Sequence, residues 1–122
     1  MTMSKSDSDI TVYNKDKKTT LAHGVRWAHT HGDRARGLIG ETEPRGLLLS
    51  TRFGIHTIGL KFPIDVAVMD FECYVRAVRR NLPPYSFFFW NPRYATVLEL
   101  PGGTLARTGT ALGDYLEIRS TV

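Results

Sequence analysis

The chain has few of the groups that most readily announce a function. Cys73 is its one cysteine, so no intrachain disulfide can form and the count gives no sign of an oxidising compartment. Apolar runs are short, and none approaches the roughly 18 to 20 residues that cross a bilayer. The polar start from Met1 to Asp9 lacks the apolar stretch of a signal peptide, so the cytoplasm is the expected location and no membrane partner is expected. The phosphate loops Gly-x-Gly-x-x-Gly and Gly-x-x-x-x-Gly-Lys-Ser/Thr are absent, as is the Gly-x-Ser-x-Gly elbow. These motifs therefore imply no cofactor. Cys73 follows Glu72 at a turn signal with no helix N-terminus or basic pair to activate it, and reads as inert.

What the chain does contain is an ordinary globular composition. With 122 residues, 42% hydrophobic, 11% aromatic and 23% charged, it fits one domain able to bury roughly two thirds of its unfolded surface. The net charge of +4 would suit an acidic surface or a nucleic acid. The basic residues are scattered among acidic ones, with Arg79-Arg80 and Lys17-Lys18 as adjacent pairs. A nucleic-acid footprint needs clustering, so a solvated basic surface is the expectation.

Residues 1 to 9 read as a disordered tail and 10 to 122 as one β-rich domain. Ile10 to Tyr13 and Thr19 to Ala28 form an opening hairpin across the turn Asn14 to Lys18, with an interruption at Gly24. Thr30-His31-Gly32-Asp33 matches a capping box and predicts a short helix to Ile39, stopped at Gly40. Further strands are predicted at Gly46 to Leu49, Ile55 to Leu60, Val66 to Met69, Tyr74 to Val78, Thr96 to Leu100 and Tyr115 to Ile118. They are short, rich in β-branched and aromatic residues, and separated by Gly, Pro, Asn and Asp. The predicted class is mainly β: a single-domain β-sandwich or barrel with one or two short helices.

Candidate chemistry gathers around Gly54 to Asp65. If Ile55 to Phe62 is a regular strand, His56 shares a face with Ile58, Leu60 and Phe62. It is then a core histidine bonded to a backbone carbonyl, one that lines a pocket at the open end of the fold, or a metal ligand. Asp65 precedes a buried run, and its carboxylate needs a partner. A turn cap or an ion pair with Arg34 or Arg36 is the structural explanation. The functional one places Asp65, His56 and an arginine in one cleft that binds a small polar ligand or acts on it by acid-base chemistry. Glu99 lies on the face of Val97, as an inward carboxylate held by an arginine or by backbone amides of the Gly102-Gly103 turn, or as a general base, and Asp114 reads as a turn residue before the last strand. His29 and His31 could chelate, but no third ligand lies nearby in sequence, so no metal is expected. Phe87, Phe88, Phe89 and Trp90 cannot all face one core in an extended chain. They are a loop over the sheet edge, a homodimer or protein contact, or a stacking platform.

Three blocks stand in order: Arg34-Ala35-Arg36-Gly37-Leu38-Ile39-Gly40 after Ala28-His29-Thr30, then Phe62-Pro63-Ile64-Asp65, then Val97-Leu98-Glu99-Leu100-Pro101-Gly102-Gly103-Thr104 before Gly109 and Gly113-Asp114. Together they resemble the domain of unknown function family 192 from about Val25 to Ile118. The resemblance implies a compact β-rich domain with a short helix near its N-terminus, and no known catalytic residues. Many relatives carry Trp-Met-Lys-Asn-Thr before the Pro-Leu-Asp equivalent, where this chain has His56-Thr57-Ile58-Gly59-Leu60. The sequence thus favours a small binding or accessory domain with a shallow polar site near His56 and Asp65. The alternatives are an enzyme for a small polar or carbohydrate-like substrate and an interaction module built on Phe87 to Trp90.

Overall fold

The computed structural model describes residues 10–28 and 46–120. The tail, the Thr30 to Ile39 helix, His29, His31, Arg34 and Arg36 lie outside the described residues. Among the described residues nine strands are seen: β1 (Ile10–Asn14), β2 (Thr19–Ala28), β3 (Leu47–Ser50), β4 (Gly54–His56), β5 (Ile64–Met69), β6 (Val75–Leu82), β7 (Phe87–Phe89), β8 (Thr96–Pro101) and β9 (Leu116–Ser120). A five-residue helix α1 (Thr104–Thr108) follows β8.

Seven strands form one sheet in the order β6-β5-β8-β3-β2-β1-β9, curled into a half-barrel. All neighbours are antiparallel except β2 and β3. At one end the two edges meet, through a Tyr74–Tyr115 bridge and bonds from Val75 N to Asp114 O and Gly113 N to Val75 O. The remaining strands, β4 and β7, form a separate antiparallel ribbon. The mainly β, barrel-like class expected from the sequence is what forms.

The curl divides the core in two. On its concave side Val12, Leu48, Ala67, Met69, Leu98 and Leu100 pack with Leu105 of α1. On the other face Leu47, Leu49, Ile64, Val66, Val68 and Val97 are roofed by Ile55, Phe88 and Trp90 of the ribbon segment. Strand β5 is therefore covered on both faces and buried at all six positions, which is why it runs apolar without alternation from Val66 to Met69.

The opening hairpin forms as expected, with Gly24 at φ 65° beside a register shift between β1 and β2, where only glycine turns the chain at low cost. One expectation is corrected. The strand predicted from Ile55 to Leu60 stops at His56, because the chain turns there: Leu60 N donates to Thr57 O at 3.1 Å and Gly59 takes φ 95°. The Gly102-Gly103 turn leads into α1, with Gly103 at φ 93° and no side chain of its own to cap the helix.

Candidate functional site

The truncated strand overturns the face assignment of His56. Ile55 and Thr57 point inward and are buried, at 7% and 0% exposure, while His56 and Ile58 are exposed. His56 sits opposite Phe87, with ring centroids 6.3 Å apart in an edge contact. Its Nδ1 accepts a hydrogen bond from Ile58 N at 3.2 Å. A backbone N–H can only donate, so Nδ1 is the unprotonated nitrogen in this arrangement.

Thr57 is the pin of the ribbon. Its hydroxyl donates to Pro83 O at 2.7 Å and accepts from Ser86 N at 2.8 Å, while its own N–H donates to Ser86 O at 2.9 Å. Removing the hydroxyl at constant shape leaves the Pro83 carbonyl and the Ser86 N–H, in partly buried bonds, without their hydroxyl partner. Thr57→Val is expected to destabilise the fold by about 2 kcal/mol and to raise amide exchange at Ile55 and Phe88 before it does so in β5 or β8. Unchanged ribbon exchange would show that packing alone holds the ribbon.

Asp65 and Glu99 face opposite sides of the sheet. Asp65 alternates with Ile64 and Val66, which lie in the outer core, so it points to the concave side where Leu105 sits. It is fully buried. One carboxylate oxygen accepts from Asn81 N and the other from Leu105 N, both at 2.8 Å. Asp65 thus caps α1 across space and fixes the bulge where Asn81 takes φ 51°. Glu99 is also fully buried, but on the outer-core side, between Leu47 of β3 and Val66 of β5.

The structure does not bring His56 and Asp65 together. The sheet and the outer core separate them, and only His56 reaches solvent. Among the described residues no cleft joins them, although either binding or acid-base chemistry there would need both groups. Among the described residues no three His, Cys, Asp or Glu side chains gather as a metal set.

A different concavity does form, and it uses the aromatic run. Alternation along β7 turns Phe87 and Phe89 outward, at 57% and 67% exposure, and Phe88 inward with Trp90. Phe87 and Phe89 lie nearly parallel, 5° apart with centroids at 6.0 Å. Gly54 makes room for Phe89: a Cβ at 54 would fall 2.5 Å from its ring. Trp90 packs at 5.5 Å on Phe88 and donates from Nε1 to Tyr94 O at 2.7 Å, which fixes the indole. Phe88, Phe89, Trp90 and Tyr94, with Ala77 and Val78 of β6, line a cleft of about 330 Å³.

Arg76, Asn91 and Leu112 complete its lining. Arg76 donates from Nε to Asp70 Oδ2 at 2.8 Å, and its guanidinium carbon stands 5.8 Å from the centre of the Tyr74 ring. Asp70 is held in turn, its Oδ1 accepting from Glu72 N at 2.9 Å and Tyr74 N at 3.0 Å. Partial burial pushes the Asp70 carboxyl up, but the Tyr74 N–H, Arg76 and the Glu72 N–H outweigh it and hold it below its ordinary value. Sequence reasoning missed Arg76, Tyr94 and Leu112, which come from three separate segments.

The sequence profile of the domain of unknown function family 192, described as Uncharacterized ACR, matches residues 12–118. The chain belongs to this family. No curated protein matches it significantly. Among solved structures, a protein of unknown function from Novosphingobium aromaticivorans DSM 12444 superposes with a TM-score of 0.72 at 22% identity, covering 88% of this chain and 82% of its own. A candidate transcription regulator from Sinorhizobium meliloti 1021 superposes at 0.75 with 23% identity, over 89% and 91%. At these identities the likeness establishes the fold alone, and the DUF192 membership brings no assigned chemistry with it.

Proposed function

We propose that this DUF192 chain is a binding domain that takes a small ligand with a planar apolar body in the cleft between β6 and the Phe88 to Tyr94 segment. The observation that supports it is the wall of Phe88, Trp90 and Tyr94 in a cleft of about 330 Å³, with the indole fixed by its bond to Tyr94 O. Small-molecule sites are typically concavities of about 300–1,000 Å³ with aromatic lining and few polar groups. A rigid ring wall offers stacking at little cost in side-chain entropy. The single cysteine fits work in a reducing compartment, and we place the domain in the cytoplasm.

Equilibrium dialysis against indole and naphthalene derivatives tests this. Saturable binding that weakens at least tenfold in Trp90→Ala, with the variant still folded, supports the cleft. Equal binding by wild type and variant would remove it. A second reading, an interaction module, draws on the outward Phe87 and Phe89. It predicts a dimer in sedimentation velocity that dissociates in Phe87→Ser/Phe89→Ser, and a monomer across the accessible concentration range would sink it.

A further inference from the structure

We infer that the ligand of this cleft carries a carboxylate or comparable planar anion, read by Arg76. The inference rests on the cleft being a ligand site, and names the chemistry of what enters it. Arg76 belongs to the lining, on β6 just after the turn from β5. Its Nε is occupied by Asp70 at 2.8 Å, a geometry that uses one edge of the guanidinium. The planar fork has five N–H donors, so the bond through Nε leaves the terminal Nη groups to serve a second acceptor.

Asp70 is not a loose partner. Two backbone N–H groups of its own turn hold its Oδ1, so the carboxylate that orients Arg76 is itself fixed. The Tyr74 ring beside the guanidinium further limits its swing. A positioned arginine loses less freedom when it closes on an anion than a lysine or a free arginine would. Because Asp70 already offsets the charge, selectivity should come from the paired hydrogen bonds of the fork more than from long-range attraction. An apolar ring against Trp90 and an anionic arm toward Arg76 together match the two chemistries that the cleft presents.

The test compares indole-3-acetate with its neutral isostere indole-3-acetamide by calorimetry, on the whole chain. A charge-assisted bond to arginine is worth about tenfold to a hundredfold in affinity. The wild type should prefer the acetate by at least tenfold, and Arg76→Gln should abolish that preference, the acetate losing more affinity than the amide, whose carbonyl oxygen also accepts from the fork. Arg76→Lys, which keeps the charge and loses the fork, should recover only part of the preference. Equal affinity of the wild type for both probes overturns the assignment to Arg76 but leaves the aromatic cleft standing. No binding of either probe overturns both.

Discussion

Asp65→Ala should lower stability by about 2–4 kcal/mol, since it strands two backbone donors at about 1–3 kcal/mol for each one that stays dry. The bond from Leu105 N is buried, whereas that from Asn81 N is partly open to water, so most of the loss comes from the helix side. In a domain of this size that corresponds to a fall of about 10–20 °C in the thermal midpoint. Asp65→Asn keeps one acceptor and sets an amide N–H₂ against a donor, so it should fall between wild type and alanine. The mechanism also says where the damage starts. Helix α1 has no side-chain cap of its own, and without Asp65 its first turn should exchange amide protons early. A variant within about 1 kcal/mol of wild type would mean that the carboxylate contributes little to folding and that water or other groups satisfy the two donors in its absence.

Much of the sheet was legible because its signals are local. The turn at Lys15 to Lys18, the punctuation at Gly24 and the apolar run at Val66 to Met69 each sit next to the element they define. What was not legible depends on partners distant in sequence. Strand β4 ends at His56 because Thr57 turns its hydroxyl to Pro83 and Ser86, more than twenty residues on. The periodicity of Ile55 to Phe62 carries no trace of that, so His56 was placed on the wrong face. Helix α1 was missed because its cap is Asp65, forty residues upstream, where a local search finds only Gly103. The cleft is a stronger case. Arg76 is brought to Trp90 by the ribbon folding over the outer core, and Leu112 arrives through the edge closure at Val75 and Gly113. No single stretch of sequence contains that arrangement, although the alternation of Phe87 to Trp90 did show that part of the run must leave the core.

The acid limb of stability should be governed in large part by Asp114. Its Oδ2 accepts from Asn14 Nδ2 at 2.9 Å, Ala111 N at 3.0 Å and Lys17 Nζ at 2.8 Å, which ties the first turn to the entry of β9. Asn14 also reaches Thr110 Oγ1 at 3.1 Å, and Thr110 and Thr108 share a hydrogen bond of 2.7 Å. Burial by itself pushes the Asp114 carboxyl up, but Asn14, Lys17 and the Ala111 N–H together hold it below its ordinary value. The sign follows. An unfolded aspartate titrates near pH 3.9, so between that value and the lower folded one the unfolded chain binds more protons. Its contribution is therefore complete above about pH 5 and is lost as pH falls through the folded value. Asp114→Asn cannot titrate and resembles the protonated acid, so it should be about 1–3 kcal/mol less stable than wild type at pH 7 and converge with it near pH 2. Lys17→Met should cost less, because the lysine is 41% exposed and its share of the pair is screened by water. Denaturant titrations of the three proteins from pH 7 to pH 2 decide the matter: parallel acid limbs for wild type and Asp114→Asn would assign the proton uptake to another carboxylate, with Asp70 the next to change.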